Sequence, residues 1–111
     1  SEQNISRSNK PRRIIMSKII QVVIYTSISD EKKLARYAEL AGPAMIAQGA
    51  KFLARGIPVA VKEDGQSTRT VLIEWESMEA AERGYLSEGY QKALEALGDG
   101  AIREFRYVEA L

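Results

Sequence analysis

The segment Arg69-Thr-Val-Leu-Ile-Glu-Trp75 is short, β-branched and almost wholly apolar. Successive side chains of a strand point to opposite faces, so Leu72 lies on one face and Val71, Ile73 and Trp75 on the other, and both faces need cover. Residues 18–27 follow the same rule. Ile20, Val22 and Ile24 face one way, and Ile19, Val23 and Tyr25, with Gln21 among them, face the other. Strands apolar on both faces belong at the centre of a sheet. Two further extended segments are less apolar. Residues 51–61 contain Pro58, which cannot donate to a ladder, and residues 101–108 carry Phe105 and Tyr107 on one face against Ile102, Glu104, Arg106 and Val108 on the other. Both read as edge strands.

Between these strands the apolar period changes from two to about 3.6. Ser29 or Asp30 caps a first helix, and the acids at 30 and 31 suit its positive end. Leu34, Tyr37, Ala38, Ala41 and Met45 recur along its inner face. Pro43 lacks a backbone donor and clashes with the preceding turn, so a kink or restart is predicted near Ala41-Gly42-Pro43. Gly49 serves as C-cap. A second helix starts at Ser77, with Met78, Ala81, Tyr85 and Leu86 inward. Gly84 weakens it, and Ser87-Glu-Gly89 restarts it, so that Tyr90, Leu94 and Leu97 continue the face until Gly98-Asp-Gly100 ends it. Asp64-Gly65 predicts a hairpin into the third strand with a loop of about three to five residues.

The order is therefore strand, helix, strand, strand, helix, strand. Two right-handed crossovers give an α+β domain with an antiparallel sheet in the order 4-1-3-2 and helices on one face. The two strands that are apolar on both sides fall at its centre. The face without helices would leave a monomer with an apolar patch above a few hundred Å². A homodimer through the helix-free sheet face is expected. Val71, Ile73, Trp75 and one face of the first strand are assigned to that interface, and Leu72, Ile20, Val22 and Ile24 to the side under the helices. Replacing Ile73 with Asp then predicts monomers or aggregate.

Residues 1–11 are polar and without periodicity, and residues 1–16 read as a disordered or extended leader. Met16 stands directly before the ordered pattern and is a candidate natural start. The alternative is an arm packed on a partner subunit, with Ile14 and Ile15 as its anchors. Residues 17–111 form a single domain.

Composition narrows the chemistry. With no cysteine there is neither disulfide nor thiol chemistry. With no histidine, the usual general base near neutral pH and the commonest metal ligand are missing, so no metal site is expected. Arg7, Lys10, Arg12 and Arg13 stand against Glu2 in the leader, so the net charge of +1 is owed to residues 1–16 and the rest of the chain is slightly acidic. A nucleic-acid binder needs a basic stripe on its folded part, and none is present. No run of eighteen apolar residues exists to span a membrane. No secretory h-region precedes the first strand, so a cytoplasmic location is the default. Gly98-Asp-Gly100 is a helix stop, not a phosphate cradle, and no nucleophile elbow or haem-ligating histidine or cysteine occurs. No cofactor is expected.

The runs Leu34-Ala-Arg-Tyr37, Pro43, Gly49-Ala-Lys-Phe-Leu-Ala-Arg-Gly56, Arg69-Thr-Val-Leu-Ile-Glu-Trp75 and Ser77-Met-Glu-Ala-Ala81 together resemble the DUF1330 family of small uncharacterised proteins. Ser87-Glu-Gly-Tyr90 is similar to that family's Ser-Pro-Glu-Tyr segment. The resemblance covers about residues 17–109. It implies a ferredoxin-like fold of the dimeric α+β barrel superfamily, whose members include antibiotic-biosynthesis-type monooxygenases and small isomerases. It implies no particular reaction. The chain departs from the family pattern at Ala50 and Ile57, where a second glycine is frequent, at Gly84, where an aromatic is common, and at Glu88-Gly89, which replaces Pro-Glu.

Five polar side chains are candidates for a site between helices and sheet. Arg55 sits in a strand among Phe52, Leu53 and Ile57 and offers a planar fork for a carboxylate or enolate; a structural pair with Glu74 is the competing reading. Glu74, if buried, becomes a general base through a raised pKa; otherwise it is a strand-end ion pair. Tyr37 directs a hydroxyl at a bound carbonyl or fills the core. Tyr85 and Tyr90 line a ligand or pack as half-buried aromatics. Two functions follow. One is a small homodimer that binds a small organic ligand or is structural, without catalysis. The other is a cofactor-free monooxygenase- or isomerase-like enzyme on a small enolic or aromatic acid, with Arg55 clamping the anion and Glu74 or Tyr37 moving the proton.

Overall fold

Three helices lie on one face of a four-stranded antiparallel sheet in the computed structural model, which describes residues 17–111. The expectations for the leader, its disorder, its arm and a start at Met16, fall outside the described residues. The strands are β1 (Ile19–Ile28), β2 (Lys51–Gly56), β3 (Thr70–Trp75) and β4 (Ala101–Glu109), and the helices are α1 (Glu31–Ala47), α2 (Met78–Leu86) and α3 (Glu88–Leu97). The sheet order is β2-β3-β1-β4, the expected 4-1-3-2 order counted from the opposite edge. The doubly apolar strands β1 and β3 are central and antiparallel, with Gln21 opposite Ile73 and Val23 opposite Val71.

The helix ends sit where capping chemistry puts them. The Asp30 side chain accepts from the backbone N–H of Lys32 and Lys33, and Ser77 accepts from Ala80. Ser87 closes α2 by donating to the Gly84 carbonyl and opens α3 by accepting from Tyr90 N–H. Gly49, at φ +103°, takes the left-handed turn after α1 that a side chain would resist.

Three expectations are corrected. First, α1 runs unbroken through Pro43. Pro43 is on the solvent side, so the Glu39 carbonyl it leaves unpaired can be hydrated. The residue before it is Gly42, and without a Cβ it escapes the clash with the proline ring that normally drives that position out of the helical region. Second, β2 ends at Gly56 and residues 57–69 form a long irregular connection, so the tight hairpin is absent. The turn at Asp64-Gly65 does form, with Gly65 N–H donating to the Lys62 carbonyl at 2.9 Å and Glu63 at φ +58°. A β-bulge between Phe52 and Ala54 shifts the register, the ladder resumes to Gly56 opposite Thr70, and Pro58, which has no N–H to donate, lies just beyond its end.

Third, the two faces of the sheet are exchanged. Ile19, Gln21, Val23 and Tyr25 of β1 and Val71, Ile73 and Trp75 of β3 are buried under the helices. Ile20, Val22, Ile24 and Leu72 lie on the helix-free face, in register with Thr70, Glu74, Glu104, Arg106 and Val108. Gln21 explains the exchange. Its amide oxygen accepts from the Trp75 indole at 2.8 Å, so the one polar residue of that face is satisfied inside the core. Tyr85 and Leu86 also turn outward, because Ala80, Ala81 and Gly84 form the buried face of α2.

Candidate functional site

Beneath α1, strands β1, β3 and β4 bring guanidinium groups and aromatic rings together. Arg103 shares the inward face of β4 with Phe105 and Tyr107. Its Cζ lies 4.6 Å from the Tyr37 ring centroid, 4.7 Å from that of Phe105 and 5.6 Å from that of Tyr25. Arg69 is held at the head of β3 by the bond from Tyr25 N–H to its carbonyl, 2.9 Å, and its guanidinium lies 5.7 Å from the Tyr25 centroid. Arg55 stacks over Phe52 at 5.5 Å. All three border a cavity of about 50 Å³ with Tyr25, Tyr37 and Phe52, and among the described residues no Asp or Glu contributes to its lining.

Ring faces stabilise each cation by about 0.5–2 kcal/mol, but they do not neutralise it. Among the described residues none of the three arginines has a carboxylate partner. The Arg69 Nε is buried with no hydrogen-bond acceptor, an arrangement that costs about 1–3 kcal/mol until an acceptor arrives. Chemically, its walls offer positive charge and N–H donors of the kind that pair with carboxylates.

Two tyrosines roof this cluster. The hydroxyls of Tyr37 and Tyr90 are 2.8 Å apart and buried, with their rings edge-on at 5.9 Å between centroids. Burial pushes the Tyr37 hydroxyl above its ordinary pKa even though Arg103 and Tyr90 pull the other way. Burial raises Tyr90 further, and its bond and proximity to Tyr37 add to the rise. For Arg103, burial favours loss of the proton, but the oxygens of Tyr37, Tyr90 and Tyr25 outweigh it and hold the proton more firmly than usual. At neutral pH the site therefore contains neutral hydroxyls and a fixed cation. It contains no group ready to take a proton.

Outside this cavity, across Arg103 and Phe105, a groove of about 660 Å³ runs between α2–α3 and β4. Tyr85 lies in it at 6.2 Å, edge-on, from Phe105 and at 5.4 Å from Tyr90. Tyr107 lines its far end, pushed up to about 12 by burial and by the charge of Glu82.

Of the five residues singled out from sequence, Tyr37 and Arg55 share the inner cavity, Tyr90 bonds Tyr37 in its roof, and Tyr85 borders the outer groove. Glu74 lies apart from all of them. It is on the helix-free face, bonded to Lys18 at 3.0 Å. Arg55 and Glu74 therefore neither pair nor meet. Among the described residues no group of three or more acidic side chains could hold a metal ion, and no helix is long and apolar enough to cross a membrane.

With this geometry in place, likeness to known proteins can be weighed. The profile of the family described as "Domain of unknown function (DUF1330)" matches residues 21–111. The chain belongs to the DUF1330 family. No curated protein matches it in sequence. Among solved structures, a DUF1330 fold of this kind is similar to RPA0582, a protein of unknown function from Rhodopseudomonas palustris, with 14% identity, 86% of this chain and 84% of that one covered, and a TM-score of 0.69. It is also similar to SnoaB, a cofactor-independent oxygenase from Streptomyces nogalater, with 14% identity, 86% and 94% covered, and a TM-score of 0.63. A dimeric ferredoxin-like protein of unknown function from Thermobifida fusca aligns at 14% identity over 88% and 95% of the two chains, with a TM-score of 0.56. At these identities the likeness establishes the ferredoxin-like fold of this DUF1330 chain.

Sequence reasoning missed Arg103, Arg69 and Tyr25 as site residues. For Arg103 the signal was present, because it stands two residues before Phe105 and four before Tyr107 and so shares their face. For Arg69 the same alternation applied, since it stands two residues before Val71 and four before Ile73.

Proposed function

We propose that this DUF1330 protein binds a small organic anion on the helix-covered side of its sheet, with Arg103 as the central donor and Arg69, Arg55 and Tyr37 around it. The observation that carries this reading is three arginines beside one cavity with no carboxylate among its walls. A structural role alone would leave that charge, and the buried Arg69 Nε, without compensation. Isothermal titration with acetate, glyoxylate and benzoate tests it. Arg103→Met should abolish binding, while Arg106→Met, on the opposite face, should not. Retained binding in Arg103→Met, or no binding by any of the three in the unaltered protein, refutes the reading. Circular dichroism checks that the variant is folded, and Arg69→Gln, expected to weaken binding, provides a second arm.

The same reading includes a homodimer through the helix-free face. Ile20, Val22, Ile24 and Leu72 form its apolar centre, with the exposed Ile102 and Val108 towards the β4 edge. A second copy is the natural cover for such a face, and the Thermobifida fusca protein, which is dimeric, has the same fold.

Cofactor-free catalysis is the second reading, favoured by the likeness to SnoaB. The chemistry here weighs against it. Glu74 is on the other face, and burial holds Tyr37 and Tyr90 protonated. A reaction at this site would need a substrate that gives up its proton unaided, with Arg55 or Arg103 stabilising the anion. Oxygen uptake with an enolic acid tests it, and a null result in the presence of demonstrated binding removes it.

A further inference from the structure

The inner cavity and the outer groove share two side chains, Arg103 and Phe105, and Arg103 is the cation that borders both. Their sizes are very different. At about 50 Å³ the inner space takes a carboxylate-sized group or water. An engineered cavity that accepts benzene measures roughly 150 Å³, so a ring does not fit there. The groove, about 660 Å³, falls within the range of small-molecule sites, roughly 300–1,000 Å³.

The groove is also polarised along its length. Arg103 and Tyr107 are four residues apart on one strand face, which separates them by about 13 Å. Arg103 supplies a cation at one end. At the other, Tyr107 and Glu82 supply a hydroxyl and, among the described residues, the only carboxylate in the lining of either space. Between them, Tyr85 and Phe105 meet edge-to-face and Leu94 completes an apolar floor. This sequence of cation, aromatic wall and distal acid selects a particular shape and charge of ligand.

We propose that the ligand is an aromatic monocarboxylate whose carboxylate pairs with Arg103 and whose ring lies in the groove against Tyr85, Phe105 and Leu94. The inference rests on the anion-binding reading above and adds the class of molecule. Glu82 gives it a second specificity. A carboxylate at the far end of the ligand would face the Glu82 charge, so aromatic dicarboxylates are disfavoured.

Titration of the full-length protein with acetate, 3-phenylpropanoate and terephthalate tests this. 3-Phenylpropanoate should bind at least about tenfold more tightly than acetate, because burying even part of a phenyl ring is worth that factor. Terephthalate should bind more weakly than 3-phenylpropanoate, and Glu82→Gln should narrow that gap. Leu94→Trp, which fills the groove, should abolish the advantage of the ring over acetate. Should Leu94→Trp fail to fold, Tyr85→Ala at a half-exposed position makes the same comparison. Equal affinity for acetate and 3-phenylpropanoate overturns the proposal while leaving the anion site standing. An advantage of the ring that survives both groove variants overturns it too. Absence of binding by any carboxylate overturns both.

Discussion

Gly84 lies on α2 directly over the ring of Trp75. A Cβ at this position would stand 2.4 Å from Cη2 and 2.9 Å from Cζ3 of the indole, where carbon atoms pack at about 3.5–4.0 Å. The ring has nowhere to go. Trp75 is 1% exposed, and its Nε1 donates to Gln21, itself 2% exposed. In an ordinary helix, glycine to alanine gains about 1 kcal/mol. Here the overpacking costs about 1–3 kcal/mol. If the indole swings far enough to release Gln21, a buried amide loses its partner at a further cost of about 1–3 kcal/mol. Set against the helix gain, Gly84→Ala should lose up to about 2 kcal/mol if Gln21 keeps its partner and about 1–5 kcal/mol if it is released. Trp75 is the only tryptophan, so its fluorescence reports both unfolding in urea and any displacement in the native state. With a urea dependence of about 1–3 kcal/mol per molar, the midpoint should fall by about 1 M. Trp75→Phe removes the part of the ring that the new methyl would strike. In a double-mutant cycle followed by circular dichroism, Gly84→Ala should therefore cost much less on the Trp75→Phe background. An unchanged or raised midpoint, or two independent costs, would refute the close-approach argument.

Gly42→Ala should destabilise α1 despite alanine's helix preference of about 1 kcal/mol, because a Cβ before Pro43 meets the proline ring; a raised melting temperature would contradict this. Ile73→Asp should unfold the protein, since Ile73 is 2% exposed in the core. Leu72→Asp, one residue away on the helix-free face, should give folded monomers in size-exclusion chromatography, and unchanged elution of folded Leu72→Asp would remove the proposed interface. Tyr107 keeps its proton to about pH 12 in the fold, against about 10 in an unfolded chain. Its contribution is complete below pH 10 and is lost as pH rises from 10 towards 12, by about 1–2 kcal/mol after allowing for solvent screening. Tyr107→Phe should flatten that part of the stability profile, and an equally steep fall in the variant would exclude Tyr107 as its source.

Much of the architecture was legible in one dimension. Doubly apolar runs placed β1 and β3 at the centre, and Pro58 with the alternating charges of residues 101–108 placed β2 and β4 at the edges. Asp30, Ser77 and Ser87 marked helix starts because their side chains satisfy free N–H groups locally. Within the candidate site, Tyr37 on α1 and Tyr90 on α3 were visible as inward residues of their helices. Their pairing was not, because 53 residues separate them and only the packing of α1 on α3 brings the hydroxyls together.

Local chemistry by itself determined the elements, their order and the need for cover on both sides of the sheet, since period, capping and proline geometry act within a few residues. Tertiary structure decided which side the helices took. With apolar groups on both faces of β1 and β3, alternation is symmetric, and the covered face is the one on which Gln21 is satisfied by a long-range bond from Trp75. The β-bulge between Phe52 and Ala54 set Arg55 opposite Val71, on the other face from Glu74, and the covered face gathered Arg103, Arg69 and Tyr25 beneath α1. A charge cluster drawn from different strands depends on register and on the face that is covered, and neither is written in any single stretch of chain.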